Sequence, residues 1–245
     1  MNALNQWLSG INLNKLIEWL IYAVAALLAI SVHESSHALA AHWLGDDTGK
    51  RMGRISLNPL HHLDPLGFLM MVIVHFGWAR PVMVDSRRFR NPKAGMALTA
   101  AAGPISNVLL ALVFAFAFFL SYQLCPQSVQ LSWDLYAAGG ITVGSPGVMF
   151  YVLRFFRACF ALNAGLAVFN LIPIPPLDGS KVLAILLPER AYVDLMRYER
   201  YGVLVLMLLL ITNVLDKPLG ILVNGLMDGV AAIAQPLAEA VAGLF

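Results

Sequence analysis

Charge is scarce in this chain of 245 residues. Sixteen Lys and Arg and fourteen Asp and Glu make up only 12% of it, where an ordinary soluble domain carries roughly 25%. Hydrophobic residues make up 59% and the mean hydropathy is +0.73. So few charges cannot cover a water-facing surface, which excludes a soluble globular enzyme, a disordered chain and a secreted disulfide scaffold. Cysteine is nearly absent: Cys125 and Cys159 stand far apart in apolar surroundings, with neither a zinc spacing nor a disulfide framework. The net charge of +2 offers no basic patch, so no nucleic-acid partner is expected. There is no internal repeat and no low-complexity tract. Polar segments reach only about 20 residues, too short for a separate soluble domain, so residues 1–245 read as a single membrane-embedded domain.

What the chain has is long apolar runs. Its length allows roughly four to six spans of about 20 residues. The first run, Trp19 to Val32, continues as a helical pattern to Leu44. Capped at Asn14, that helix would be about 45 Å long, longer than a hydrocarbon core of about 30 Å. Leu66 to Trp78 is short and reads as re-entrant or interfacial. Ala94 to Leu124 is free of charge and reads as a transmembrane helix. Val148 to Ile172 reads as another, ended by Pro173, Pro175 and Pro176. Tyr201 to Leu215 reads as a further span, and Leu219 to Phe245 as a weaker apolar tail. The basic loops at 80–93 and 189–200 should face the cytoplasm, and the loop at 126–147 the outside.

The chemistry is concentrated in His33-Glu34-Ser35-Ser36-His37. Histidines four apart lie on one helix face, one turn above each other, so both rings reach one metal ion. Glu34 is placed to take a proton from water at that metal. Chance would give about 0.003 such patterns in a chain with these few His and Glu. The bland alternative is a polar cap where the helix leaves the bilayer, but consecutive ionisable groups at a membrane helix end are costly without a partner or a wet cavity. His42 falls on the opposite face and reads as interfacial.

A catalytic zinc needs a third protein ligand. Asp178 stands out, in a proline-broken segment just after a span, because non-helical backbone at membrane depth is tolerated where it lines a cavity. Taken alone, that segment equally allows Asp178 to cap a short helix beginning near Ser180 or to make an Asp-Gly turn. The need for a third ligand favours the metal over the cap. Asp64, Glu189 and Asp194 sit in loops with ready solvated roles. Asn170 shares the segment of Asp178 and reads as a group that holds substrate backbone or stabilises an oxyanion. Asn107 allows the same reading, but a helix–helix hydrogen bond, worth about 0.6 kcal/mol, suits it better.

The chain resembles the site-2 proteases, which are intramembrane zinc metalloproteases. The resemblance is carried by His33-Glu34-Ser35-Ser36-His37-Ala38, by Ala102-Gly103-Pro104-Ile105-Ser106-Asn107, and by Asn170 to Pro173 with Pro176-Leu177-Asp178-Gly179. Leu57-Asn58-Pro59-Leu60, His62-Leu63-Asp64-Pro65-Leu66-Gly67 and Phe76-Gly77-Trp78-Ala79-Arg80-Pro81-Val82 add to it. Their order is similar to the compact branch without PDZ or CBS domains, over residues 33 to 182. The resemblance implies an all-α polytopic membrane protein with a small membrane-associated β region within 45–84, and a motif-bearing core near 14–187 followed by C-terminal helices at 201–245. It implies one zinc ion on His33, His37 and Asp178, with Glu34 as general base and Asn170 as an active-site polar group. An edge strand near Pro81 and Val82 would capture an unwound transmembrane substrate by strand addition. The enzyme would lie in a prokaryotic inner membrane with its site toward the cytoplasm. A non-catalytic relative that binds membrane proteins, or a metal transporter, are the competing readings.

Overall fold

A computed structural model describes residues 13–64, 67, 80–139 and 147–245. Eight helices are named here in chain order: α1 Leu13–Trp43, α2 Thr48–Arg51, α3 Pro92–Leu124, α4 Gln127–Ala137, α5 Val148–Asn170, α6 Asp178–Ala184, α7 Glu189–Ile211 and α8 Asp216–Ala242. Among the described residues, α1, α3, α5 and α8 are long and apolar enough to cross a membrane.

α1 forms because the stretch has no Pro or Gly and two of its hydroxyls bond back within the helix. Ser31 and Ser36 donate to the Leu27 and Val32 carbonyls at 2.6 and 2.7 Å, as hydroxyls in membrane helices can. Its outward face carries Leu16, Trp19, Leu20 and Val24, all exposed on the protein and suited to lipid. Its inward face is small: Ala25, Ala29, Ala38 and Ala41 are buried. Lipid tails are as apolar as leucine, so span association rests on close packing, which small residues permit.

α3 begins with Asn91, whose side chain caps the Ala94 N–H, and with Pro92 at its first position. It is the central helix, packed against α1, α5 and α8. Its buried stripe is again small: Ala97, Ala100, Gly103, Ala111 and Ala115. Ala111 and Ala115 meet Phe160 and Ala164 of α5 and Val230 and Ala234 of α8 in the principal cluster. A second cluster joins Ala25 of α1 to Ala158 and Cys159 of α5. At the far end, Phe118, Cys125, Trp133, Phe150 and Leu153 pack together, and Arg154 pairs with Glu18 there.

Two expectations are corrected. Tyr201 to Leu215 is not a separate span: α7 starts at Glu189, and its apolar part, Tyr201–Ile211, covers about 16 Å against a core of about 30 Å. The tail, by contrast, is one long helix, α8. The small β region also finds no support: no strand occurs among the described residues of 45–84. At Arg80–Val84 the reason is where the backbone bonds go. The Arg80 N–H makes a single bridge-type bond to the His62 carbonyl at 2.8 Å, but the Asp85 N–H goes to the Asp46 carboxylate at 2.7 Å, so no ladder continues through the described residues 80–85. The expected re-entrant stretch, 66–78, lies outside the described residues except for Gly67.

The segment after α1 is tied back to it. Ser35 Oγ donates to the Ser56 carbonyl and accepts the Ser56 N–H at 3.2 Å, while a ring nitrogen of the buried His62 donates to the Ser56 carbonyl at 2.7 Å. Asp46 is the other anchor. It is fully buried, accepts from the Thr48 N–H and hydroxyl, and faces Arg88 at 3.6 Å. Burial alone would raise its pKa, but the Thr48 hydroxyl, the Asp85 and Thr48 N–H groups and the Arg88 charge together hold it below the ordinary value.

A carboxyl depressed on folding stabilises the fold above its unfolded pKa, about 3.9, and loses that contribution as pH falls. Asp46→Asn is therefore expected to lower thermal stability in detergent at pH 6, by about 1–2 kcal/mol from weakened charge-assisted bonds. The gap to the wild type should narrow as pH falls below about 4, as read by melting curves at each pH. An undiminished gap at pH 3 would remove Asp46 as the anchor.

Candidate metal centre

His33 and His37 lie one turn apart on α1, their rings edge to face with centroids 4.6 Å apart. Asp178 comes from the first turn of α6, reached through the proline segment after α5. It heads the helix without capping it by its side chain. Gly179 makes the turn possible: a Cβ there would stand 2.2 Å from the Leu171 carbonyl oxygen, so any other residue would push α6 off the end of α5.

Three side chains then converge. Asp178 Oδ2 lies 3.1 Å from His33 Nε2 and 3.2 Å from His37 Nε2, and the two Nε2 atoms are 3.0 Å apart. Tetrahedral zinc with bonds of about 2.0–2.1 Å separates its ligand atoms by about 3.3 Å, so the triangle is close to the right size. Its chemistry fits as well. His37 Nδ1 faces the Thr99 carbonyl at 2.7 Å, a group that only accepts, so Nδ1 carries the hydrogen and neutral His37 offers a lone pair at Nε2. His33 Nδ1 faces Asn107 Oδ1 at 2.6 Å, with the same consequence. Asp178 Oδ2 is buried and finds no hydrogen-bond donor among the described residues. Two imidazole nitrogens whose other ring position is already engaged and one carboxylate oxygen at contact distance make a donor set that suits a divalent cation.

α3 closes the back of the site. Pro104 cannot donate to the Ala100 carbonyl, so the turn facing α1 is short of one internal hydrogen bond, and there the Thr99 carbonyl receives His37. Gly103 leaves room for both rings: a Cβ would stand 2.5 Å from His37 Cε1 and 2.6 Å from His33 Cε1.

In front lies a cavity of about 200 Å³, room for several waters at roughly 30 Å³ each. His33, Glu34, His37, Asp178 and Asn170 line it, with Pro81, Val82 and Val84 along one wall and Lys181 nearby. Asn170 donates one amide hydrogen to the Leu166 carbonyl at 3.0 Å. The structure thus gathers every site residue singled out in the sequence except Asn107, which is fully enclosed, away from the cavity lining and out of reach of a substrate. His42 is elsewhere, bonded to Asp47 at 2.6 Å, and Asp64 caps the Gly67 N–H at 2.8 Å. Thr99 and Asn163 escaped the sequence reading. Thr99 acts through its backbone, which leaves no mark in the sequence. Asn163 could have been noticed as one of few amides inside a span.

A family model described as Peptidase family M50 matches residues 21–212, and the chain belongs to that family. "Putative zinc metalloprotease YwhC" of Bacillus subtilis is 34% identical over 218 residues, 87% of this chain and 92% of that protein. "Putative zinc metalloprotease Rip2" of Mycolicibacterium smegmatis is 28% identical over 195 residues, 78% of this chain and 66% of that protein. No solved structure matches the chain.

Because both rings rest on Gly103, Gly103→Ala should displace them while leaving the helix intact. Overpacking of this kind costs about 1–3 kcal/mol, and zinc affinity is expected to fall about 10–100-fold with helix content by circular dichroism unchanged. Wild-type affinity in that variant would show that the rings are not held against α3.

Proposed function

We propose that this member of peptidase family M50 is a zinc-dependent intramembrane endopeptidase, hydrolysing peptide bonds within or near transmembrane segments of membrane proteins. One zinc per chain sits on His33, His37 and Asp178, the one such cluster among the described residues. The observation that carries the reading is that lone-pair triangle, set beside Glu34 in a single cavity among spanning helices. Family membership and the names of the two relatives agree with it.

Zinc bound there supplies a Lewis acid for a peptide carbonyl and acidifies water. The chain's own groups do the rest. Glu34, next to a ligand and half-buried at the cavity wall, takes the proton of the attacking water and passes it to the leaving amine. Asn170 is held at the rim by its bond to Leu166, where it can hydrogen-bond a substrate backbone. Pro81 and Val82 form the wall along which an unwound substrate segment would lie. A substrate helix must unwind first, since its peptide groups are bonded to one another. Arg87, Arg88 and Arg90 lie in the sequence between the cavity wall and α3, and Lys93 in the first turn of α3, which supports a cytoplasm-facing site in a cell membrane.

Glu34→Gln should lower kcat on a single-span substrate by at least about 10²-fold while zinc content stays at the wild-type level. Cleavage at the wild-type rate would remove Glu34 as the base. Asp178→Ala should lose zinc on purification, measured by metal analysis, and full retention would strike Asp178 from the ligand set.

A further inference from the structure

The two asparagines inside the bundle are joined into a chain that ends on a metal-ligand candidate. Asn163 of α5 donates through Nδ2 to the Cys159 carbonyl at 2.8 Å. Its Oδ1 accepts from Asn107 Nδ2 of α3 at 2.7 Å. Asn107 Nδ2 also faces the Ala29 carbonyl of α1 at 3.3 Å, and its Oδ1 faces His33 Nδ1 at 2.6 Å. Both asparagines are fully buried.

The direction of this chain is not free. A backbone carbonyl can only accept. The Cys159 carbonyl therefore fixes which end of the Asn163 amide is NH₂, turning its oxygen toward Asn107. The Ala29 carbonyl and the Asn163 oxygen fix the Asn107 amide in the same way, turning its oxygen toward His33. That oxygen needs a proton from Nδ1. With the proton there, the remaining lone pair of neutral His33 lies at Nε2, the atom facing Asp178 and His37. Two carbonyls on two different spans thus decide the tautomer of a histidine on α1.

We propose that Asn163 and Asn107 form an amide relay of fixed polarity whose task is to present His33 Nε2 to the metal; both are positioning residues, and Asn163 acts only through Asn107. This rests on the reading of His33 as a ligand. A partner on the far ring nitrogen sets the orientation of a ligating histidine and is worth about 10–100-fold in metal affinity. The alternative is that the amides merely hold three spans together.

Zinc affinity of the full-length protein in detergent, by competition with a chelating dye, separates the two, alongside the melting temperature of the metal-free protein. Asn107→Leu is expected to weaken zinc about 10–100-fold. Asn107→Asp, as a neutral carboxyl whose O–H replaces the amide donor toward Asn163 Oδ1, keeps an acceptor against His33 Nδ1 and should stay within about threefold of the wild type, which also carries the test if the leucine variant does not fold. Asn163→Leu should weaken zinc about 3–10-fold, and the double leucine variant no more than Asn107→Leu alone, because both changes remove one relay. A lower metal-free melting temperature with unchanged zinc affinity, additive losses in the double variant, or an aspartate as weak as the leucine would each overturn the relay. His33→Ala distinguishes the two layers of the argument. If it leaves affinity unchanged, the ligand reading itself fails. If it abolishes binding while both leucine variants bind like the wild type, only the relay falls.

Discussion

The structure turns on one convergence: two imidazole Nε2 atoms and a carboxylate oxygen lie within 3.0–3.2 Å of one another, close to the spacing of ligands around a single divalent cation. Set among spanning helices, the two rings are buried and open, with Asp178, onto one small cavity. Every constraint around them keeps the lone pairs aimed inward. The Thr99 carbonyl and the Asn107 amide oxygen take the far ring nitrogens. Gly103 gives the rings somewhere to lie, and Gly179 lets the carboxylate arrive from the end of a different span.

This precision is compatible with membrane packing because the helices meet through their smallest residues. Alanines and glycines along α1 and α3 bring backbones close enough for a carbonyl of one span to bond a side chain of another. A leucine-lined interface would hold the helices apart and leave Asn107 and Thr99 out of reach. The large residues are pushed outward to lipid or to the aromatic cluster at the opposite end, so the polar and the bulky halves of the bundle are spatially separated.

How much of this was legible in the sequence follows from the range of each interaction. His33, Glu34 and His37 are readable because a helix places i and i+4 together without help from the rest of the fold. Asp178 is 141 positions from His37, and it was reached through its proline-broken segment after a span, the chemical need for a third ligand and the family resemblance. Three of the four long spans were visible as apolar runs, while α8 read only as a weaker apolar tail; the failure at α7 came from reading apolarity at 201–215 without the charged turns that precede it in the same helix. The β region failed because strand pairing depends on partners that alternation and propensity do not name. Asp46 instead captures the Asp85 N–H, a contact across 39 positions.

The motif Gly103-Pro104 shows why a short stretch inside a featureless apolar helix can matter as much as the histidines. Each residue removes something. Glycine removes the side chain that would strike the rings, and proline removes the N–H that would bond the Ala100 carbonyl. Ser106, one turn further, bonds back to the Gly103 carbonyl at 2.7 Å, returning one hydrogen bond to the same turn. Gly and Pro weaken helices in water by about 1 and 3 kcal/mol relative to Ala, so their presence together in the central span points to a requirement other than helix stability. That requirement is room: without a side chain at Gly103, the two edge-to-face imidazoles of α1 fit against α3, where the Thr99 carbonyl accepts from His37. The central helix is therefore locally weakened where the ligand helix docks, and it is held there by packing against α1, α5 and α8 rather than by its own propensity.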